Sequence, residues 1–179
     1  MEEKGFRYNT VTMSAKKQIE NPKSKVISPL DDPDLNLWVL LDRTRDVMSK
    51  AREMELDQYK LSRVHTTVLY PLLSESRGMT IAEISNWSLR EPNSVLSLVN
   101  RMEKNGLVKK IRNADSDKVK IILTEKGRKV YTNAARFSVK MILSVLSEEE
   151  KRQLHSCLEK VRSKGRELLG VDYKPPFLP

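Results

Sequence analysis

The sequence predicts a mainly α-helical fold that contains one small β-hairpin. Apolar residues recur at helical spacing along much of the 179-residue chain, as in Val95, Leu98, Val99 and Met102. After Gly106 the apolar period changes to about two, which is typical of paired strands. Hydrophobic residues make up 39% of the chain and charged residues 32%. This balance predicts one globular domain with extensions rather than a disordered chain.

The first long helix is predicted over about 31–56, after a polar arm over 1–30. Aspartates flank Pro33, which suits the first turn and the positive end of the helix dipole. The helix opens with an apolar run, 37–41, that occupies nearly all of its circumference. Such a helix must be buried on more than one side, and a second subunit is an economical way to achieve this.

Three further helices precede the hairpin. One covers about 62–76 and contains Pro71, which predicts a kink or break near that point. A capping box opens a short helix over 80–87. After a tight connection, a longer helix is predicted over 92–105 and ends at Gly106, a favourable C-terminal glycine.

The hairpin and two more helices follow. Strands are predicted over 107–111 and 118–123, joined by a polar turn over 112–117. One helix is expected from 124 to about 146, and a last helix from 147 to 169. The last helix carries one apolar stripe, composed of Leu154, Cys157, Leu158, Val161, Gly165 and Leu168.

The order short helix, tight turn, longer helix and basic hairpin defines a winged helix-turn-helix. In such a unit the second helix enters the DNA major groove and the hairpin, or wing, reaches over the backbone. The segment 90–130 holds eleven basic and five acidic residues, so it supplies net +6 of the total charge of +9. A concentrated basic segment is typical of a protein that binds a polyanion.

The side chains predicted to contact DNA are polar or cationic and lie off the apolar stripe of 92–105 or on the hairpin. Asn and Arg can bond to base edges, Ser can bond to bases or phosphates, and the hairpin cations suit phosphates. The predicted contacts are Arg90, Asn93, Ser94, Ser97, Asn100, Arg101, Lys104, Lys110, Arg112, Lys118 and Lys120. Leu96 also lies off the stripe, and we favour packing on a neighbour over contact with a thymine methyl group.

Five runs between Met79 and Gly127 read TIAEI, PNSV, LVNRME, GLV and LTEKG, over 80–84, 92–95, 98–103, 106–108 and 123–127. In this order they resemble the MarR family of bacterial and archaeal transcription regulators. The resemblance implies a homodimer on a pseudo-palindromic operator, with half-sites about 34 Å apart. It also implies dimerisation helices over 31–60 and 128–170, a DNA-binding lobe over 61–127 and a tail over 171–179.

The predicted wing tip departs from the family pattern. Relatives usually carry Asp-x-Arg there, with the arginine in the minor groove, whereas this chain reads Asp115-Ser116-Asp117-Lys118. Lys118 can substitute as a point charge, or Arg112 can reach in from the other strand.

Many MarR relatives bind small aromatic compounds, which implies a small aromatic effector here. The candidate lining residues are Trp38, Arg45, His65, Leu69, Tyr70 and Trp87. The alternative, which we favour, is that the two tryptophans are core or interface aromatics and that His65 is a satisfied core residue. A buried Cys157 is expected to behave as a small hydrophobic residue rather than as a redox sensor.

Other function classes find little support in the sequence. With one cysteine and two histidines, the chain has few of the residues that form metal sites or catalytic triads. We expect no enzymatic activity, no cofactor and no metal. Without an apolar span or a signal segment, the chain is expected to be cytoplasmic. The main alternative to a sequence-specific repressor is a winged-helix module that binds an acidic protein or RNA.

Overall fold

A computed structural model of the chain describes residues 28–113, 116–134 and 136–171. A short 3-10 turn, Pro29–Asp31, precedes the first long helix. The helices and strands, numbered in chain order, are α1 Pro33–Asp57, α2 Arg63–Ser74, α3 Ile81–Ser88, α4 Pro92–Lys104, β1 Val108–Asn113, β2 Ser116–Leu123, α5 Glu125–Asn133, α6 Phe137–Leu143 and α7 Glu148–Leu169. Most of the predicted arm and tail lie outside the described residues.

Local capping signals place the helix starts close to where the sequence predicts them. Asp32 caps α1 by accepting the N–H groups of Asp34 and Leu35. Reciprocal capping boxes open α3 at Thr80 and α7 at Ser147. These caps satisfy N–H groups that have no partner inside their own helix.

One core unites α2, α3, α4 and the hairpin in a compact lobe. The apolar face of α4 is buried, which fixes how this helix docks on the lobe. The buried apolar residues of this core are Leu56, Leu61, Val68, Leu69, Leu72, Met79, Ile84, Val95, Leu98, Val99, Met102, Leu107, Val108, Ile121 and Ala134.

The turn between α3 and α4 is held by side-chain and backbone bonds. Leu89 takes a left-handed conformation with φ of 53°. The Ser85 hydroxyl donates to the Arg90 carbonyl, and the Arg90 N–H donates to the Ser85 carbonyl at 3.2 Å. These two hydrogen bonds set the relative orientation of α3 and α4.

The hairpin strands are longer than the sequence predicts, and Met79 forms an additional backbone bridge to β2. Antiparallel pairing places Val108 opposite Leu123 and Lys110 opposite Ile121. Arg112 therefore lies in a strand, which corrects its assignment to the turn. The backbone of Met79 bonds to Ile121 in both directions, at 3.0 and 2.7 Å. That bridge ties the start of α3 to the hairpin.

The helix expected from 124 to about 146 is interrupted, so this prediction is wrong. It ends at Asn133 and resumes at Phe137. The carboxylate of Glu55, on α1, accepts the Phe137 N–H at 2.6 Å and also accepts the Ser138 hydroxyl. A buried side chain from a distant helix thus caps α6, and the break follows from that contact.

The long helices outside the lobe leave apolar surface uncovered. No residue of α7 is buried, and in α1 only Glu55 and Leu56 are. Trp38, at the start of α1, is 66% exposed in the single chain. Cys157 is exposed as well, which corrects its placement as a buried thiol. No other part of the described residues covers these faces, so burial of the start of α1 against a second subunit stays a prediction.

Among the described residues, no helix has the length and apolar content needed to cross a bilayer.

Candidate nucleic-acid interface and ligand cleft

Helix α4 presents a polar face opposite its buried stripe. Asn93, Ser97, Asn100 and Lys104 recur at the spacing of one helical face. Asn93, Ser97 and Lys104 are exposed, and Asn100 is half-buried. A face of this composition can donate to and accept from the edges of bases.

The flanks of this face add cationic and polar side chains. Ser94 and Arg101 are exposed on α4, and Arg90 is exposed just before it. On the hairpin, Arg112 and Lys118 are exposed and Lys120 is half-buried. Leu96 is 40% exposed in the part of the chain that the structure describes.

Lys110 is engaged within the protein. Its ammonium lies 2.8 Å from a Glu103 carboxylate oxygen and donates to the Asn100 side-chain oxygen at 2.6 Å. Its backbone N–H donates to the other Glu103 oxygen at 3.1 Å. The side-chain and backbone hydrogen bonds from Lys110 lower the pKa of Glu103. Sequence reasoning placed Lys110 on DNA and did not recognise Glu103 as its partner.

A cleft of about 410 Å³ opens between α2, α3 and α5. Tyr70 and Trp87 line it, and their rings stack with centroids 6.2 Å apart at an angle of 23°. Four residues that the sequence analysis did not single out complete the lining: Thr66, Thr67, Ser88 and Tyr131. Burial raises the pKa of Tyr131, so its hydroxyl is a donor at neutral pH.

Pro71 explains why Trp87 is held at this cleft. A proline has no N–H, so Pro71 cannot bond to the carbonyl four residues before it, which belongs to Thr67. The indole N–H of Trp87 donates to that carbonyl at 3.0 Å. The helix continues through Pro71 to Ser74, and no break occurs.

The other residues predicted for the ligand site do not line this cleft. Trp38 lies exposed on α1, and Arg45 on the same helix pairs with Asp42 and Asp46, each at 3.0 Å. Leu69 is buried in the core. Only two of the predicted lining residues are therefore brought together at the cleft.

His65 has a structural role at the start of α2. Its Nδ1 accepts the Ser62 N–H at 3.0 Å. Burial, followed by the charge of Arg101, lowers its pKa. The ring is thus neutral at pH 7 and serves as a cap, the satisfied position that the sequence analysis weighed against a ligand role.

Within the described ranges, no group of three His, Cys, Asp or Glu side chains is arranged as metal ligands.

The architecture is that of a winged helix-turn-helix, with α3, α4 and the hairpin in the expected order. No family model and no curated protein matches the sequence. Solved structures do match the fold. An organohalide-sensing transcriptional regulator in a 2,4-dichlorophenol-bound form is 26% identical, with a TM-score of 0.67 over 87% of this chain and 94% of that one.

Two further structures extend this comparison. A MarR family protein from Bacillus stearothermophilus is 27% identical, with a TM-score of 0.61 over 72% of this chain and 92% of that one. The Staphylococcus aureus MepR–DNA complex is 22% identical, with a TM-score of 0.65 over 74% of this chain and 99% of that one. The chain has the winged-helix fold of MarR family transcription regulators.

Proposed function

We propose that the chain is a homodimeric, sequence-specific double-stranded DNA-binding transcription regulator that acts as a repressor. The observation that carries this proposal is the exposed polar face of α4 beside the cationic wing, on a lobe that buries the opposite face of the same helix. In this proposal α4 lies in the major groove, and the wing lies on the backbone and minor groove. Repression is proposed because it is the usual mode of the MarR family.

The charge distribution supports the same assignment. The segment that contains α4 and the wing holds net +6. Arg90, just before α4, and Arg112, on β1, are exposed. Cations at these positions suit phosphates on either side of the groove. Binding of these cations to phosphates releases counterions from the DNA, so the affinity falls steeply as the salt concentration rises.

Helix α7 supports a dimer. It is a 22-residue helix with no buried residue, and Leu158 and Val161 stand exposed on its apolar stripe. Isolated helices are marginal in water, so a helix of this kind needs packing on its apolar face. A second copy supplies a matching face by two-fold symmetry, and the same symmetry suits a pseudo-palindromic operator.

A charge placed on this stripe tests the dimer. Leu158→Lys is expected to shift the protein from dimer to monomer, because it buries an unpaired charge in the interface. Lys160→Ala, off the stripe on the same helix, is the matched control and should remain dimeric. Light scattering after size-exclusion chromatography measures the mass. A wild-type monomer, or a dimeric Leu158→Lys, refutes this part of the proposal.

The cleft supports a small aromatic effector. Stacked Tyr70 and Trp87 offer aromatic faces, and the Tyr131 hydroxyl offers a hydrogen bond. A compound bound between α2, α3 and α5 alters DNA binding only if it favours one arrangement of the lobes over another. Trp38→Phe leaves Trp87 as the one tryptophan of the chain. In that background, quenching of Trp87 fluorescence by simple phenols, lost on adding Tyr131→Phe or Tyr70→Ala, tests the cleft.

Fluorescence anisotropy on DNA tests the central claim. The full chain is titrated with its own upstream DNA and with a scrambled duplex across a salt series. Preference for the upstream fragment together with a steep salt slope is the expected result. Weak and equal binding to both duplexes would refute sequence-specific regulation at this site.

The alternative is a winged-helix module that binds an acidic protein partner. The observation in its favour is that Leu89 and Leu96, at the α3–α4 unit, are each 40% exposed. Apolar anchors of this kind are typical of protein interfaces. The polar residues around them favour DNA, and the anisotropy experiment separates the two.

A further inference from the structure

The side chain of Asn100 is held in one orientation by the wing. The Lys110 ammonium donates to the Asn100 side-chain oxygen at 2.6 Å. Glu103, one helical turn along, anchors that ammonium at 2.8 Å and accepts the Lys110 backbone N–H at 3.1 Å. Both the charge and the strand backbone of Lys110 are therefore fixed against α4.

Asn100 belongs to the face of α4 that would enter the groove. It follows Asn93 and Ser97 at the spacing of one helical face, on the side away from buried Val99 and Met102. It is half-buried because its carbonyl end turns toward the wing strand. One lone pair of that oxygen accepts the ammonium, and the second lies beside the same positive charge, which disfavours the approach of another donor. The groups that Asn100 offers to a base edge are therefore chiefly the two N–H bonds of its amide nitrogen.

This arrangement changes what an asparagine can recognise. An unconstrained Asn bonds to adenine through both ends of its amide, accepting from N6 and donating to N7. Here the Asn100 carbonyl faces the Lys110 ammonium. The adenine N6 amino group is also a hydrogen-bond donor, so it would approach a site that another donor already occupies. Guanine presents two acceptors, O6 and N7, and both suit the amide N–H groups and the nearby positive charge.

We propose that Lys110 makes Asn100 a donor-only reader that selects guanine over adenine in the operator. Lys110 is a positioning residue in this assignment, and Glu103 holds it in place. The inference rests on the proposed function, since it presumes that α4 enters the major groove.

Selection from a randomised duplex library tests the proposal with the full-length chain. Four proteins are compared: wild type, Asn100→Ala, Lys110→Met and Lys110→Arg. Lys110→Met keeps the apolar stem and removes the donor, whereas Lys110→Arg keeps a donor and a charge. The readout is the ratio in which the four bases are enriched at each position of a protein's motif. Contacts to phosphates strengthen binding to all sequences alike, so they do not change this ratio.

Wild type is expected to prefer guanine over adenine by at least about fivefold at one base of each half-site. Asn100→Ala should erase the preference at that base and leave the other positions intact. Lys110→Met should raise adenine to at least the level of guanine there, because the amide can then present its oxygen. Lys110→Arg should keep guanine. Circular dichroism melting curves check that each variant is folded.

Three results would overturn the inference. Adenine at the Asn100-dependent base in wild type would mean that the amide is not restricted to donation. Loss of affinity in Asn100→Ala that is equal at all sequences would mean that Asn100 does not read a base. Unchanged selection in a folded Lys110→Met would remove the positioning role. Failure of wild type to enrich any motif would instead refute the proposed function, so the two failures are distinguishable.

Discussion

Replacing Trp87 with phenylalanine should destabilise the lobe through a carbonyl that Pro71 leaves without a helix partner. The Thr67 carbonyl accepts the indole N–H at 3.0 Å, and it lies four residues before the proline. This bond is only partly buried, so the carbonyl that loses its partner should cost about 1–2 kcal/mol, the lower part of the range for a buried group. The smaller ring costs roughly 1 kcal/mol more through lost packing. We therefore expect Trp87→Phe to lower the free energy of unfolding by about 2–3 kcal/mol.

A double-mutant cycle isolates the hydrogen bond from the packing. In Pro71→Ala the residue at position 71 regains an N–H that can satisfy the Thr67 carbonyl. In that background Trp87→Phe should lower the free energy of unfolding only through lost packing. The coupling energy between the two substitutions is then about 1–2 kcal/mol. Urea unfolding at one fixed protein concentration measures all four proteins, because dimerisation makes stability depend on concentration.

Equal costs of Trp87→Phe in the two backgrounds would refute the reasoning. The indole N–H would then contribute nothing that the helix N–H can replace. A cost below about 0.5 kcal/mol in the native background would have the same meaning, since surface substitutions without special contacts fall in that range.

Four other predictions concern the lobe and its surface. Gly127→Ala should destabilise by about 2–4 kcal/mol in urea unfolding, because a Cβ there would lie 1.9 Å from the Leu107 carbonyl oxygen; an unchanged midpoint contradicts this. Arg101→Ala should cost about 1–3 kcal/mol of operator preference in anisotropy titrations, and intact preference would mean that the reading face is misplaced. Lys118→Ala should weaken binding to all sequences alike and reduce the salt slope by about one; an unchanged slope removes the wing contact. For Glu55, burial acts to raise the pKa, but hydrogen bonds from α6 and α1 outweigh it and lower the pKa. That carboxylate therefore stabilises the fold above its unfolded pKa near 4.5 and loses this contribution as pH falls through the lower folded value. Glu55→Gln should lower Tm at pH 7 and approach wild type as the pH falls well below 4.5; a Tm difference that does not vary with pH would exclude an ionised Glu55.

The Glu55 prediction depends on a contact that no local pattern reveals. Its carboxylate meets Phe137, 82 residues further along the chain. The sequence between 124 and 146 is compatible with one continuous helix, which is what the sequence analysis predicts. The buried carboxylate selects the interrupted form because the N–H of Phe137 and the hydroxyl of Ser138 both gain an ionised acceptor.

The site shows the same division between local and distant signals. The polar face of α4 follows from the periodicity of its buried stripe, and the structure has that stripe at the four predicted residues. Which polar groups remain available to DNA does not follow from periodicity. Lys110 resembles any other hairpin cation in the sequence, and only the packing of β1 on α4 pairs it with Glu103 and Asn100.

By itself the sequence determined the order of helices and strands, their caps, the buried face of α4 and the concentration of positive charge. These features depend on hydrogen bonds and periodicities that span a few residues, so short stretches carry them. The tertiary structure decided the break before α6, the lining of the cleft and the engagement of Lys110. Each of these joins residues from different elements, and their separation in space is set by how the elements pack rather than by their spacing along the chain.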